Sequence, residues 1–332
     1  MVSLRSFVTI VCSTALFAYA QVEFPMGSEV VNVKEDPYNA KGDGKNDDTE
    51  AIQKALSDHP DGDYIIYLPH GIYKITSALQ WPSANKPDKD YRRTILQGES
   101  MGGTIIALQD DVPGFENPDF PQAVIYTGDG PNPRQRNSIR DLTLRTGKKN
   151  PGAIGIRFNA SVQGTINNVK VTSGDSSGVI GIDVGFTENI GPLLIKNVEV
   201  DGFDVGIYAA GKSNSMTFEH VTLSGQKKFG LDNDGQMLSI RALRVKGSST
   251  AVYNHGQDAS MVLVDGTLEY DPGKKGAKPI TAIVNEGQLF ARSVVVSKYK
   301  SKIKSTLMVG SAARVLVNPV PMRVAPSAIL AR

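Results

Sequence analysis

The chain has 332 residues, of which 40% are hydrophobic and 21% are charged, so it is long enough to bury a large core. Its formal net charge is +2. This near-neutral balance excludes a dedicated nucleic-acid binder, which needs a concentrated basic face, and it excludes a polybasic membrane anchor.

The first 20 residues have the composition of a secretory signal peptide. Arg5 precedes an apolar run from Phe7 to Phe17, and Ala-Tyr-Ala at 18–20 fits a small-residue cleavage site. The run is too short to span a bilayer. We therefore predict a secreted mature chain that starts near Gln21 and has no membrane association after cleavage.

The sequence contains one cysteine, Cys12, which lies inside this leader. The mature chain therefore has no disulfide, no thiol nucleophile and no thiolate-bound zinc. A secreted protein without disulfides must gain its stability from core burial and backbone pairing. That requirement favours a long, regular β architecture over a small disulfide-linked domain.

A short pattern recurs from residue 139 onward. An apolar residue is followed by two mostly polar residues, an apolar or small residue, a variable residue and another apolar residue, and successive copies start 22 to 29 residues apart. A second short apolar segment follows each copy. The copies of the first pattern are IRDLTL (139–144), INNVKV (166–171), IKNVEV (195–200), FEHVTL (218–223), IRALRV (240–245), LVDGTL (263–268) and, more loosely, FARSVVV (290–296). The second segments are GIRFN (155–159), GIDVG (181–185), GIYAA (206–210), GLDND (230–234), AVYNH (251–255) and AIVNE (282–286).

Each repeat therefore holds two short strands, and such a unit cannot bury its own apolar face. Stacking on neighbouring repeats buries it, which makes a solenoid. We predict an all-β parallel β-helix over residues 21–296. Residues 297–332 are predicted to form a basic tail or the start of a longer continuation. A β-sandwich is the alternative, because it also contains short strands separated by turns. Its hairpins, however, need not carry the same sequence pattern at the same position in every repeat.

Asparagine recurs at the fourth position of the last three second segments, as Asn233, Asn254 and Asn285. Identical amides on neighbouring strands hydrogen-bond along a stack. We predict that these three residues form a buried ladder and that their role is structural.

The N-terminal block, about 29–60, is predicted to cap the stack. A strand-like VVNV leads through a Gly-rich turn into a short helix, whose apolar face would cover the first coil. Asp47 is the expected N-cap, with Asp48 and Thr49 as alternatives. Glu50 follows Asp47 at the third position, as in a capping box.

Two segments of this block carry a family resemblance: NAKGDGKNDDTEAIQKAL (39–56) and YLPHGIYKIT (67–76). They resemble the N-terminal signature of the pectate lyase superfamily, most closely the group related to rhamnogalacturonases, glycoside hydrolase families 28 and 55 and phage tailspikes. With the repeats, the resemblance covers residues 29–296. It implies a right-handed parallel β-helix that acts on polysaccharides. The superfamily holds hydrolases, lyases, epimerases and non-catalytic members, so the resemblance indicates the fold more closely than the reaction.

Two columns of the second segments gather charged and aromatic residues. Equivalent residues on adjacent coils of a parallel stack lie about 4.7–4.9 Å apart. The third position reads Arg157, Asp183, Tyr208, Asp232, Tyr253 and Val284, and the fifth reads Asn159, Gly185, Ala210, Asp234, His255 and Glu286. Tyrosines beside carboxylates suit sugar binding, because they offer an aromatic face and acceptors for hydroxyl groups. We predict substrate-binding roles for Arg157, Asp183, Tyr208 and Tyr253.

Glycoside hydrolysis uses two carboxyl groups, one protonated and one ionised. Asp232 and Asp234 share a strand, Glu286 lies two coils further on, and His255 is placed to tune or orient them. These four residues are the predicted catalytic group of a hydrolase acting on a pectic or glucan-type polysaccharide, with no cofactor required. The segment GKSNS (211–215) replaces the Asn-Thr-Asp motif of family 28, so the active site of that family is not predicted.

Two alternatives remain open. A polysaccharide lyase would need calcium, for which Asp175, Asp183, Asp201 and Asp204 are candidate ligands. It would also need an arginine base, for which Arg157, Arg241 and Arg244 are candidates. The other alternative is a non-catalytic solenoid that binds carbohydrate or serves as a surface scaffold.

Overall fold

The computed structural model describes residues 22–60, 64–82, 93–128, 135–160, 162–187, 190–211, 214–256, 258–273, 280–306 and 314–316. The predicted leader, with Cys12, lies outside these ranges. Within them, no helix has both the length and the apolar character needed to cross a membrane.

One helix and 26 strands follow one another along the described residues. The first half of the chain holds β1 (Glu29–Asn32), β2 (Asp43–Asp47), α1 (Thr49–Asp58), β3 (Tyr64–Leu68), β4 (Gly71–Ile75), β5 (Leu79–Gln80), β6 (Ile95–Gly98), β7 (Thr104–Leu108), β8 (Gln122–Tyr126), β9 (Ser138–Arg145), β10 (Ala153–Arg157), β11 (Gly164–Thr172) and β12 (Ile180–Val184). The second half holds β13 (Leu193–Asp201), β14 (Val205–Ala210), β15 (Ser215–Ser224), β16 (Phe229–Asp234), β17 (Met237–Arg241), β18 (Arg244–Gly247), β19 (Thr250–His255), β20 (Ser260–Val264), β21 (Thr267–Tyr270), β22 (Thr281–Asn285), β23 (Gln288–Arg292), β24 (Val295–Ser297), β25 (Ser301–Ser305) and β26 (Arg314–Leu316).

Each complete coil of the stack presents three faces. In the first repeat pattern, the residues before the bend form the first face and the residues after it form the second face. Both faces belong to one 17-stranded sheet. The second segments form the third face, a nine-stranded sheet in the order β25-β22-β19-β16-β14-β12-β10-β8-β5. Its strands pair in parallel throughout. The predicted parallel β-helix is confirmed.

A left-handed residue turns the chain between the first and second faces. The third position of the repeat pattern has φ between 51° and 58° at Asp141, Asn168, Asn197, His220, Ala242 and Asp265. In the looser copy FARSVVV the fourth residue, Ser293, has a φ of 56°. Asn and Asp tolerate this conformation better than other non-glycine residues. Across the bend the buried residues are three apart, as with Ile166 and Val169. The apolar-polar-polar-apolar spacing of the repeat is the sequence signature of this bend.

The second and third faces approach each other closely where the second segments begin. A Cβ atom built on Gly155 would lie 2.5 Å from Val171 Cγ1, and one on Gly181 would lie 2.2 Å from Val200 Cγ1. Glycine at the start of these segments is therefore needed for packing between two faces. The apolar side chains of the first pattern and of the second segments together fill the rest of the interior, which runs as one continuous core along the stack.

The predicted asparagine ladder is confirmed. Asn233 Nδ2 donates to Asn254 Oδ1 at 2.7 Å, and Asn254 Nδ2 donates to Asn285 Oδ1 at 2.6 Å. Asn285 Nδ2 then donates to Ser305 Oγ on the next coil at 3.1 Å. The three amides are at most 1% exposed, so each is satisfied inside the protein, as buried polar groups require.

The helix α1 buries Ile52, Ala55 and Leu56, as predicted, but its N-terminus is built differently from a capping box. The N-cap is Asp48, which makes no side-chain cap bond. Its carboxylate instead accepts the backbone N–H groups of Lys41 and Gly42, at 2.6 and 2.9 Å.

The neighbouring Asp47 is not the N-cap. Its Oδ1 accepts the N–H of Thr49 at 3.0 Å, and its Oδ2 accepts the hydroxyl of Thr76 at 2.6 Å. The prediction of an Asp47–Glu50 capping box is therefore wrong. Asp48 instead connects the helix to the Gly-rich turn, and Asp47 connects it to the first coils. Gln53 adds a further tie, exchanging two hydrogen bonds of 2.8 Å with the backbone of Gln80.

The β-helix continues past residue 296, where the sequence places the start of the basic tail. β25 pairs in parallel with β22 on the third face, and β26 pairs in parallel with β23 on the first face. Lys302 and Lys304 of β25 are exposed, and charged side chains of this kind protect an edge strand from further pairing.

We expect Asn254→Ala to lower the free energy of unfolding by about 1–3 kcal/mol, because the buried Oδ1 of Asn285 would lose its donor. Urea unfolding followed by circular dichroism measures the change. Asn117→Ala is the matched control, since this exposed side chain makes only a turn bond to the N–H of Asp119. We expect it to change stability by less than about 0.5 kcal/mol. Equal losses in the two variants would contradict the structural role of the ladder.

Candidate functional site

The predicted site residues lie on the third face of the β-helix. The third-position column is in register on successive strands, and Arg157 pairs with Asp183, Asp183 with Tyr208, Tyr208 with Asp232, and Asp232 with Tyr253. In the fifth-position column, Asp234 pairs with His255. Leu231 and Asn233 lie on the same strand as Asp232 and Asp234, point into the core of the β-helix and are fully buried. The alternation of β-strands therefore turns Asp232 and Asp234 outward.

Asp232, His255 and Asp234 form a compact group. His255 Nε2 lies 2.8 Å from Asp232 Oδ1, and His255 Nδ1 lies 3.7 Å from Asp234 Oδ1. The imidazole thus stands between two carboxyl groups that share one strand. The side chain of Asp232 is 13% exposed and that of Asp234 is 45% exposed, so the two carboxyl groups have different environments.

The burial of Asp232 changes the pKa of its carboxyl group. Burial raises the pKa of Asp232, the hydrogen bond and charge of His255 lower it, and the charge of Asp234 raises it. Burial is the largest cause, and the net direction is upward. A carboxyl group whose pKa is raised in this way retains its proton closer to neutral pH and can act as an acid.

Aromatic rings surround this group. The ring of Tyr253 stacks on His255, with centroids 4.0 Å apart and planes at 15°, and on Phe229, with centroids 4.9 Å apart and planes at 30°. The hydroxyl of Tyr208 donates to Asp234 Oδ2 at 3.4 Å. The predicted tyrosines and the predicted catalytic aspartates therefore form one continuous surface.

The two tyrosines are hydrogen-bond donors. Burial raises the pKa of Tyr208 to about 12, and the charges of Asp234, Asp232 and Asp183 add to this effect. Burial also raises the pKa of Tyr253, with a smaller contribution from Glu286. Both hydroxyl groups keep their protons at neutral pH and can donate to a carboxylate or to a sugar oxygen.

Glu286 is connected to this group through one tyrosine. It is exposed, follows β22 directly and accepts the hydroxyl of Tyr253 at 3.3 Å. Its carboxylate lies one coil beyond His255 in the stack. The structure therefore places it at the margin of the Asp232–His255–Asp234 group.

Asp183 differs from the exposed sugar contact that the sequence suggests. Its side chain is 3% exposed, and it accepts Arg157 Nε at 3.1 Å and the N–H of Gly185 at 3.0 Å. Burial raises the pKa of Asp183, against the opposing effects of Gly185 and Arg157. The carboxylate holds Arg157 in place. The guanidinium of Arg157 lies 5.8 Å from the ring centroid of Phe186.

A groove of about 290 Å³ opens beside Arg157 at the N-terminal end of this face. It is lined by Ala78, Gln80, Pro121, Gln122, Ala123, Tyr126 and Arg157. The ring of Tyr126 packs against Phe186 at 5.7 Å between centroids. The groove therefore continues the polar and aromatic surface that carries the candidate catalytic residues.

Sequence reasoning missed Phe186 and Phe229. Phe229 lies two residues before the inward Leu231, where strand alternation predicts an inward side chain, and its in-register partners Val205 and Thr250 are buried. Phe186 follows β12 in a loop, where no repeat position identifies it. The repeat pattern therefore gives no signal for either ring.

The residues considered for calcium do not converge. Asp175 accepts backbone N–H groups of Lys149 and Ser177, and Asp201 accepts the hydroxyl of Ser224. Asp204 pairs with Lys228 at 2.9 Å, and Asp183 is held by Arg157. Within the described ranges no group of three or more His, Cys, Asp or Glu residues is placed to hold a metal ion. Asp175, Asp183, Asp201 and Asp204 therefore do not form one calcium site among the described residues.

The arginines considered as lyase bases are also dispersed. Arg157 lies on the third face, where it is paired with Asp183. Arg241 lies on the first face, where its Nε is 3.7 Å from Asp265 Oδ2, in a separate groove of about 400 Å³. Arg244 lies on β18 of the second face. Only Arg157 shares a face with the candidate site.

Comparison with known proteins gives partial matches among polysaccharide-related sequences. The chain is 33% identical over 129 residues to a probable glucan endo-1,3-beta-glucosidase of Arthroderma benhamiae, covering 38% of this chain and 13% of that protein. It is 24% identical over 275 residues to the mannuronan C5-epimerase AlgE5 of Azotobacter vinelandii, covering 74% of this chain and 25% of that protein. The chain therefore spans at most a quarter of the length of these relatives.

Two solved structures share the fold. A 1,3-alpha-1,4-beta-D-galactose-4-sulfate-3,6-anhydro-D-galactose-2-sulfate 4-galactohydrolase superposes with a TM-score of 0.52 and 15% identity, covering 81% of this chain and 64% of that chain. The phiAB6 tailspike, solved with oligosaccharides of Acinetobacter baumannii surface polysaccharide, has a TM-score of 0.52 and 14% identity, covering 83% of this chain and 47% of that chain. At these identities the likeness concerns the fold alone.

A family model described as rhamnogalacturonase A/epimerase, pectate lyase-like, matches residues 30–276. The match begins in β1, includes α1 and extends over the coils that carry Asp232, Asp234 and His255. The chain belongs to this family.

Proposed function

We propose that the protein is a secreted glycoside hydrolase that acts on a pectic or glucan-type polysaccharide along its third face. The observation that carries this proposal is the Asp232–His255–Asp234 group. It supplies two carboxyl groups in different environments on one outward strand face. The similarity to a probable glucan endo-1,3-beta-glucosidase supports a hydrolytic reaction, and the predicted leader supports secretion.

In this proposal Asp232 is the general acid. Its pKa is raised, so the carboxyl group keeps its proton to a higher pH than an exposed aspartate does. In the proposed step this proton passes to the glycosidic oxygen as the bond to the anomeric carbon breaks. The leaving sugar departs with a free hydroxyl group, and Asp232 is left as a carboxylate.

Asp234 is the proposed general base. Its side chain is 45% exposed, so a water molecule from the solvent can reach its carboxylate. Asp234 takes a proton from that water as its oxygen bonds to the anomeric carbon. The proton returns to Asp232 through solvent, so the net reaction consumes one water.

His255 positions both carboxyl groups. Its two ring nitrogens face Asp232 and Asp234, and the ring is held by stacking on Tyr253. The hydroxyl of Tyr208 donates a hydrogen bond to Asp234. Tyr253 and Phe229 supply apolar ring faces on which a sugar can pack.

The first experiment is an activity screen of the full chain on pectic, glucan and alginate polysaccharides, each with and without calcium. Reducing ends without unsaturated products would support hydrolysis. Unsaturated products that disappear with a chelator would support the calcium-dependent lyase. A folded protein that binds a polysaccharide without cleaving it would support the non-catalytic scaffold.

We expect Asp232→Asn and Asp234→Asn each to lower kcat by about 10²-fold or more, the size of the effect of a positioned acid or base. Release of reducing ends measures the change. Asp265→Asn is the matched control, because this carboxylate lies at the bend between the first and second faces and is half exposed. We expect it to retain activity. Full activity in either site variant would contradict the assigned role.

The raised pKa of Asp232 predicts the alkaline limb of the pH profile. The required form is protonated, so kcat/KM should fall as pH rises through this pKa. We expect His255→Phe to move the limb to higher pH, because it removes the hydrogen bond and charge that lower the pKa and keeps a ring against Tyr253. A limb that stays in place would contradict the coupling of His255 to Asp232.

We expect activity to be unchanged by calcium chelation, since the four candidate aspartates have separate partners and do not form one site. Assays in EDTA, with and without added calcium, measure this. Loss of activity in EDTA that calcium restores would contradict the hydrolase assignment and favour the lyase.

A further inference from the structure

We infer that the groove beside Arg157 is a remote subsite, which binds a non-reacting sugar of the polysaccharide, and that Asp183 positions Arg157 for this contact. The inference rests on the proposed function and adds a binding contact for the same substrate. It is carried by a buried ion pair, by the lining of the groove and by the register that joins the groove to Asp232.

The ion pair of Arg157 and Asp183 is built into an outward column of the third face. The side chain of Asp183 is 3% exposed, and that of Arg157 is 29% exposed. Asp183 Oδ2 accepts Arg157 Nε at 3.1 Å, and Asp183 Oδ1 accepts the N–H of Gly185 at 3.0 Å. A buried ion pair is often no more stabilising than two apolar side chains of similar volume. The role of this pair is therefore to orient the guanidinium of Arg157.

The pair leaves most of the donors of Arg157 available to a ligand. Arginine has five N–H donors, and among the described residues its side chain donates only to Asp183, through Nε. The guanidinium also lies 5.8 Å from the ring centroid of Phe186, which is within the range of a cation–π contact. Arg157 is thus held on two sides while its Nη groups stay free, and such preorganisation lowers the cost of binding.

The lining of the groove suits a sugar ring. Its volume is about 290 Å³, and its walls combine small apolar side chains with Arg157, the ring of Tyr126 and the two exposed amides Gln80 and Gln122. The ring of Tyr126 packs against Phe186, with centroids 5.7 Å apart. Aromatic and apolar surfaces pack on the C–H face of a sugar, and a few placed polar groups bind its hydroxyls.

The register of the third face connects this groove to the candidate catalytic group. Pairing of successive strands places in one column Gln80, Tyr126, Arg157, Asp183, Tyr208 and Asp232. Arg157 and Asp232 are three coils apart, which is about 14 Å along the axis. A sugar bound at Arg157 is therefore several residues away from the bond that Asp232 would protonate.

The side chains between the two places leave a path for the polysaccharide. Asp183 is buried, and the outward position two residues after it is Gly185. A Cβ atom on Gly185 would lie 2.7 Å from Cε1 of Tyr208, so the tyrosine ring lies against the backbone of the preceding coil. One chain of sugars can therefore reach Arg157 and Asp232 together.

This arrangement predicts that activity depends on chain length. Binding energy from parts of a substrate that do not react contributes to catalysis, so truncated substrates react more slowly. Only oligosaccharides long enough to reach Arg157 from Asp232 make the remote contact.

Kinetics on oligosaccharides of increasing length test the inference. Oligogalacturonides and β-1,3-gluco-oligosaccharides, from the dimer upward, are the substrates of the full chain, and release of reducing ends gives kcat/KM for each length. Calorimetric titration of the full chain carrying Asp232→Asn gives the affinity for the same series without turnover.

We expect kcat/KM and affinity to rise at the length that reaches the groove. Arg157→Met should lower the ratio of long-chain to short-chain values by about tenfold or more, because the long chain loses hydrogen bonds from a charged donor. Asp183→Asn should lower the same ratio by a smaller factor, because Arg157 keeps an acceptor but loses its charged partner. Lys196→Met is the matched control, since this lysine lies on the first face and pairs with Glu219, and it should leave the ratio unchanged.

Arg157→Met leaves the buried carboxylate of Asp183 without its partner, which is destabilising. The double substitution Arg157→Met with Asp183→Asn is therefore measured beside it, because it removes both charges and keeps an acceptor for the N–H of Gly185. We expect this variant to show the folded circular dichroism spectrum and the same loss of the ratio.

Equal losses for long and short chains in the double variant would indicate a structural role and overturn the inference. Values that do not depend on chain length in the unsubstituted protein would also overturn it. Length-dependent binding without cleavage would contradict the proposed hydrolase and leave the inference intact. A folded protein that neither binds nor cleaves any member of the two series would overturn both.

Discussion

Parallel in-register pairing of successive coils is the constraint on which this structure depends. It places each residue directly above the equivalent residue of the neighbouring coil. Equivalent positions of the repeats therefore form a line of side chains along the axis of the β-helix. Inward lines must then pack on themselves, which explains the buried apolar columns and the amide ladder of Asn233, Asn254 and Asn285. Outward lines are free to carry chemistry, and the Asp232–His255–Asp234 group is formed where two such lines meet.

The same register sets the electrostatics of the candidate site. Asp232 and Asp234 differ because one is covered by its neighbours and the other is not, although both belong to one strand. The histidine that separates them comes from the following coil, so the two carboxyl groups respond to a shared neighbour. The site is therefore a property of two adjacent coils: burial and Asp234 of the same strand raise the pKa of Asp232, and His255 of the following coil lowers it.

The sequence predicts the fold well because the same pattern recurs in every repeat. Aligning the copies gives directly the register in which their strands pair. The strands, the ladder and the pairing of Asp234 with His255 all follow from aligning equivalent positions. Burial of Asp183 could not be predicted, since it depends on how Arg157 from the preceding coil folds over it. The helix N-terminus was misread because the direction of the Asp48 carboxylate depends on the backbone of the Gly-rich turn. Local patterns do not describe such cross-coil geometry.

The asparagine ladder has a direction. Each amide donates to the next coil, so the side-chain dipoles point the same way along the axis from Asn233 to the hydroxyl of Ser305. An apolar residue in the middle of such a run would leave one donor and one acceptor without a hydrogen-bond partner, whereas an apolar residue at an end would leave a single group without a partner. Ala209, which precedes Asn233 in the column, sits where that penalty is smallest. The polarity of the run thus restricts where coils can be inserted or exchanged during evolution.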